Sequence, residues 1–256
     1  MNHEIVELMR DRAAEYGLNL IGAIPATAYA ATGEPAESRM RAAGPHARSI
    51  IVIGNGGGAL WRALKTHANT HPGWLDRDHP LDDFTREVVE QMLLPPLRER
   101  KFEVTTAYPG DPDPFNFMLL ARLAGLGGPS IIGVMVHPVY GPWIALRAAL
   151  LIDLELDSSG AAAGFDPCPR CTVRSCIPAC PVDAVSAAGG WNVPRCIQHR
   201  VESEADCAAR CHARVGCVLG PEHRYPDDEL AYHQRRTLPA MRAYYDAHLS
   251  KPRSDR

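Results

Sequence analysis

In the first half of the chain, apolar residues recur with two different periods. Between residues 3 and 16, Ile5, Leu8, Met9 and Ala13 fall on one helical face, and Gly17-Leu18 stops the run. Leu20–Ile24 reads as a short strand. Residues 25–48 are rich in Ala, Pro and Gly and read as loop with room for a short helix. Ser49–Gly54 is continuously apolar and predicts a buried strand, and a helix follows over Ala59–His67. Between them lies Gly54-Asn55-Gly56-Gly57-Gly58. It is either a tight strand-to-helix turn or a backbone that approaches a phosphate or ring closely, and it does not complete G-x-G-x-x-G.

His79-Pro80-Leu81-Asp82-Asp83 opens a long helix that the pattern carries to about Arg98, with its carboxylates in the first turn where the helix dipole favours them. Phe102–Thr106 reads as a strand, Tyr108–Pro114 as a rigid loop and Phe117–Ala124 as a helix. Ile131–His137 and Trp143–Asp153 read as two strands joined by the turn Pro138–Pro142, hence as a hairpin. Residues 154–166 read as a linker, and Asp227–Ser250 as mostly helix. The pattern divides the chain into an α+β domain over 1–157, a cysteine-rich module over 158–220 and a C-terminal helical segment over 221–256 that packs back on the core.

At 256 residues, 46% hydrophobic and 22% charged, the chain is long and apolar enough to bury a core. Its net charge of −3 carries no basic excess that would point to nucleic acid. No apolar run has transmembrane length, and the first residues form an acidic amphipathic helix rather than a signal peptide. The expectation is a cytoplasmic protein without membrane or nucleic-acid partners, in which clustered cysteines are metal ligands more readily than disulfides.

All eight cysteines lie between Cys168 and Cys217. They open as C-x2-C-x4-C-x3-C-P (Cys168, Cys171, Cys176, Cys180-Pro181) and continue with Cys196, Cys207, Cys211 and Cys217. Soft thiolates at short spacing closed by Cys-Pro suit 4Fe-4S clusters. In two-cluster ferredoxins the cysteine before proline ligates the other cluster. A crossed partition follows, with Cys168, Cys171, Cys176 and Cys217 in one set and Cys180, Cys196, Cys207 and Cys211 in the second. One cluster, a structural zinc site or a redox dithiol are the alternatives; zinc prefers two short Cys pairs, and that pattern is half present.

Other polar residues have paired readings. Arg147 sits in the apolar run 143–152 and must be paired, with Asp153 as the nearest candidate, or bind an anion. Arg224 carries the same two readings. His137 is a metal-ligand candidate or a turn-fixing residue before Pro138. Trp143 stacks on a cofactor or fills a core. Asp111 and Asp113, in a proline-fixed loop, donate a proton to a substrate or make turns.

The run Ile132-Gly-Val-Met-Val-His137-Pro138-Val-Tyr140-Gly141-Pro-Trp143-Ile-Ala145-Leu-Arg147 resembles the central segment of the cobalamin-processing chaperone family (the methylmalonic aciduria and homocystinuria type C protein), which carries His-Pro-x-x-Gly-x-Trp-x-Ala-x-Arg. Arg224-Tyr225, followed by acidic residues and Ala231-Tyr232, is a second match, and Pro80–Leu97 with the strand after it is a looser third. The same region is similar to epoxyqueuosine reductase, a cobalamin-dependent iron–sulfur enzyme that shares His-Pro-x-x-Gly-x-Trp and Ala-Gly-Leu-Gly (here Ala124–Gly127) and follows them with two cysteine motifs. Its first motif is two residues shorter than Cys171–Cys176 here. Its Gly-Lys-Asn and its helical-repeat tail, which helps engage transfer RNA, are absent from this sequence.

The resemblance implies a flavin-reductase/nitroreductase-like core with a ferredoxin-like module. It implies a cobalamin cofactor met by His137, Tyr140, Gly141, Trp143, Arg147 and Arg224. Gly133, Gly141 and Ala145 would let a flat macrocycle approach the hairpin. The anion at Arg147 would be a thiol-tripeptide carboxylate or a cofactor phosphate. The implied activity is reduction or removal of a corrinoid's upper ligand, or reductive use of the corrinoid, with a thiol co-substrate or redox partner protein. The other readings are a ferredoxin-like electron carrier that ignores cobalamin and a zinc-stabilised binding module.

Overall fold

The computed structural model describes residues 2–32, 46–112, 115–159, 162 and 164–250. It is a mixture of helix and sheet, in two units: Met1–Gly128 with Ile144–Phe165, and Pro129–Trp143 with Asp166–Arg256.

The first unit is built on an antiparallel sheet of order β1-β2-β4-β3, with β1 Leu20–Pro25, β2 Ser49–Gly56, β3 Val104–Ala107 and β4 Ile144–Ile152. In register, Ile51 faces Ala23 on one side and Leu150 on the other. The unbroken run of β-branched residues explains the central place of β2: every side chain from Ser49 to Gly56 is buried, so neither face needs polar residues. The pairing slips between Ile53 and Gly54, where a Cβ on Gly54 would come within 2.7 Å of the Ala145 carbonyl oxygen. The glycine run therefore begins as strand and turns only after Gly56.

Helices α1 (Asn2–Glu15), α2 (Ala26–Ala30) and α3 (Ala59–Thr70) surround β1 and β2. The helix expected from Pro80 to Arg98 is present but not uniform. It comprises α4 (Pro80–Val88), a wide π-type turn at Val89–Leu93 and α5 (Leu94–Glu99). Pro95 and Pro96 cause this, because they lack the N–H that the preceding turn needs and their rings crowd it. The Met92 carbonyl that Pro96 cannot serve lies 3.5 Å from Arg12 Nη1. Helix α6 (Phe117–Leu123) is capped by Asn116, whose side chain accepts from Leu119 N at 3.1 Å.

Two expectations are corrected. Residues 131–137 form no strand against β4, which pairs with β2 and β3 instead. Only an isolated bridge joins His137 to Gly141. Ile132 packs with Cys176, Val185 and Ala213 of the second unit, and Ile131 and Val134 lie against the same group. Gly133, at φ +77°, turns the chain where any Cβ would collide with the Trp191 ring. The apolar run is the core of a loop. The stretch after residue 153 is equally no free linker: Ala23 N donates to Ser159 Oγ (2.8 Å), Ser159 N donates to Ala23 O (3.1 Å) and Leu156 N donates to Ser49 Oγ (2.7 Å).

The second unit has little sheet, a two-strand ladder of β5 (Val185–Ser186) and β6 (Gly190–Trp191). Its helices are α7 (Val193–Glu202), α8 (Glu204–Cys207), α9 (His212–Val215) and α10 (Asp227–His248). Buried Arg200 ties α7 to α10, donating to Thr237 Oγ1 (3.0 Å) and Gln234 O (2.8 Å).

Candidate metal centres

The eight cysteines are all free and lie around two cavities of the second unit. A cavity of about 350 Å³ is lined by Cys168, Cys171, Cys176 and Cys217. The other, about 270 Å³, is lined by Cys180, Cys196, Cys207 and Cys211. The place of each thiol is thus that of the crossed partition.

Local structure accounts for the grouping. A 3-10 turn, Cys168–Arg170, brings Cys171 N to Cys168 O (3.2 Å). Ser175 Oγ donates to the Gly216 carbonyl, which sets Cys176 beside Cys217 across 41 positions of sequence. Around the other cavity, Cys180 sits in a turn and accepts Ala184 N on its sulfur at 3.3 Å. Asn192 caps α7 through Arg195 N (3.0 Å) and so orients Cys196 one residue on. Cys207 ends α8, and Cys211 is the cap of α9.

Burial pushes the thiols of Cys176, Cys196 and Cys217 up, and Cys207 up to about 11. Neighbouring thiols add to this: Cys217, Cys168 and Cys171 act on Cys176, and Cys211, Cys196 and Cys180 act on Cys207. Four acidic groups crowded into a desolvated space resist ionisation unless a cationic centre sits among them. Among the described residues no three His, Cys, Asp or Glu side chains converge tightly enough to grip one metal ion.

The remaining sequence-predicted residues are divided between the units. In the second unit, His137 Nδ1 accepts Val139 N (3.0 Å) and Tyr140 N (3.2 Å), which is turn-fixing, and burial with nearby His223 lowers its pKa. The Tyr140 ring meets His223 edge-on at 4.7 Å. Gly141 (φ +55°) leaves room for the Leu219 carbonyl, as Gly133 does for Trp191, so neither is spare space for a macrocycle. Trp143 is fully buried against Tyr225 and Leu230, beneath Arg214 at 5.0 Å. Arg224 is exposed, with Nη2 donating to Val215 O (2.9 Å).

In the first unit, Arg147 is 9% exposed and its Nε donates to Asn55 Oδ1 at 2.8 Å. Its Nη1 is 3.6 Å from Asp82. Asp153, the partner expected from sequence, instead accepts Glu103 N (3.0 Å). Arg147 Nη2 is buried without a partner beside a cavity of about 350 Å³ that Asp82, Arg86 and Tyr108 also line. Asp111 makes the turn, accepting Tyr108 N (2.7 Å), and pairs with Arg86 (3.0 Å). Asp113 lies outside the described residues.

No family model and no curated protein matches the sequence. Solved structures do. The B12-trafficking protein CblC of C. elegans, a human MMACHC homologue, superposes with TM-score 0.58 and 11% identity over 98% of each chain. Epoxyqueuosine reductase of Bacillus subtilis superposes with TM-score 0.56 and 16% identity over 89% of this chain and 68% of that one. An epoxyqueuosine reductase solved with a tRNA stem loop gives the same values. The likeness is one of fold. It matches the resemblance read from the His137–Arg147 segment and the cysteine motifs.

Several residues at these sites carried no sequence signal. Asn55 was hidden inside a glycine run and proves to be the main partner of Arg147. Asn19 pairs with both backbone groups of Gly56, at 2.7 and 3.1 Å, and so extends β2 into that run. Arg200 lies beside the second thiol cavity, where its charge lowers the pKa of Cys196 and Cys207 against the effect of burial. Only the proximity of Cys196 in sequence hinted at it.

Proposed function

We propose that this chain is a two-cluster iron–sulfur protein that delivers electrons to a corrinoid, reducing it, removing its upper ligand or using it for reductive chemistry. The observation that carries the reading is the sorting of eight cysteines into two sets of four around two separate cavities. Four thiolates to each cavity is the ligand count that a 4Fe-4S cluster takes. Bound clusters supply single electrons. The protein's part is to hold the thiolates, exclude water with Ile132, Val185 and Ala213, and offset negative charge with Arg200. The corrinoid side rests on the fold shared with a B12-trafficking protein and on the resemblance of the His137–Arg147 segment. The buried, incompletely paired Arg147 in its polar cavity is suited to an anionic group of the corrinoid or of a thiol co-substrate.

The test is a titration of the iron-loaded protein with hydroxocobalamin under anaerobic conditions, followed by reductant. A shifted corrinoid spectrum at micromolar protein, and reduction slowed by replacing a cysteine of either set, is the expected result. Iron-loaded protein with no corrinoid response at these concentrations would leave an electron carrier and overturn the corrinoid reading.

A further inference from the structure

The spacing Cys171-x4-Cys176 is two residues longer than the regular ferredoxin run, and the extra length is not tucked away. Thr172 and Val173 are both exposed, and Val173, at 65%, is the most exposed large apolar side chain among the described residues. Arg174 takes a left-handed conformation (φ +46°) that a side chain adopts only at a cost. Its Nε donates to Cys171 O at 3.0 Å, which pins the extension across the first thiol cavity. Val218, 44% exposed, follows Cys217 and lines the same cavity, as does exposed Arg170. Asp166 is the acidic residue nearby; with Arg174 and Cys168 it lines an adjoining cavity.

The second thiol cavity is bordered differently. Ile132, Val185, Ala213 and Leu230 of its lining are buried, Val182, Trp191 and Met241 are half-buried, and buried Arg200 stands beside it. Exposed valines thus rim one cysteine set and not the other. Val173, Val218 and Arg170 are exposed together on the rim of one cavity, an apolar contact beside positive charge of the composition that a small docking site uses.

We infer that the Cys171–Cys176 extension, with Arg170 and Val218, is the docking surface for a small acidic one-electron carrier of the ferredoxin type. The inference rests on the two-cluster reading above. Cys168, Cys171, Cys176 and Cys217 would hold the cluster that takes one electron from the reduced carrier; the carrier would be oxidised by that one electron, with no bond made or broken. Encounters of this kind are small and steered by charge, so opposite charge around an apolar contact suffices.

The experiment is anaerobic stopped-flow reduction of the iron-loaded full chain by a reduced acidic bacterial ferredoxin, and separately by dithionite. Wild type, Val173→Glu and Arg170→Glu are compared at low and raised salt. The expected result is a ferredoxin rate that falls about tenfold or more in each variant and falls with salt in wild type, with unchanged iron content and unchanged dithionite rate. Unchanged ferredoxin rates in iron-loaded variants would overturn the docking surface and leave the clusters standing. A wild-type dimer in sedimentation that Val173→Glu dissociates would also overturn it, assigning the face to self-association. A wild type without iron would overturn the two-cluster reading and the surface with it.

Discussion

Ile50, Ile51, Val52 and Ile53 are shielded from solvent and paired on both sides, by β1 and by β4. Nothing in the second unit resembles this. Among the described residues its one ladder is two residues long, and the core group at the cysteines is Ile132, Cys176, Val185 and Ala213. The first unit is held by a continuous apolar interior, which needs nothing beyond the chain. Around the cysteines the second unit has turns, short helices and crowded thiols, a composition that is stable when a metal centre takes the place of a core.

On the two-cluster reading, iron removal should give the largest difference in behaviour between the first unit and the second. In hydrogen exchange, the cluster-free protein should lose protection across residues 168–217 while β2 and β4 stay protected; equal loss in both would break the comparison. Single cysteine changes come next. Cys176→Ser and Cys207→Ser should each remove about four irons per chain, from different clusters. Electron paramagnetic resonance of the reduced proteins should show a different surviving signal in each.

Gly141→Ala is expected to destabilise the second unit by about 3 kcal/mol, since it adds a Cβ against the Leu219 carbonyl at positive φ. Gly73→Ala, also at positive φ but with nothing within 4 Å, should cost about 1 kcal/mol in the first unit. Urea melts of both variants give the ratio. Asn55→Leu leaves buried Arg147 without its main acceptor and should cost the first unit about 1–3 kcal/mol in the same melts.

The smallest effect is a pH dependence. Cys207 is raised from 9.0 to about 11 in the folded chain. Between those values the folded state holds a proton that the unfolded state has released, so its contribution is full below pH 9 and lost as pH rises through about 11. Denaturation of the cluster-free protein should show this fall, and Cys207→Ala should lessen it, leaving the part due to Cys176, Cys196 and Cys217, which burial also raises.

The same contrast governs what could be read from sequence. The strand at 49–54 was legible because a central strand is apolar without interruption. The strand expected at 131–137 was not there, because an apolar run reads alike whether it enters a sheet or fills the core of a loop. The grouping of cysteines by place was legible through the rule that Cys-Pro crosses to the other set. Arg147's need for a partner was legible too, but Asn55, 92 positions away, was not, since long-range pairing leaves no local mark.

The central claim is that two sets of four cysteines each hold a cluster. The direct measurement is iron, acid-labile sulfide and zinc per chain after anaerobic purification. About eight irons with about eight sulfides and negligible zinc is the predicted result. Zinc without sulfide would contradict it and make the thiol cavities structural staples.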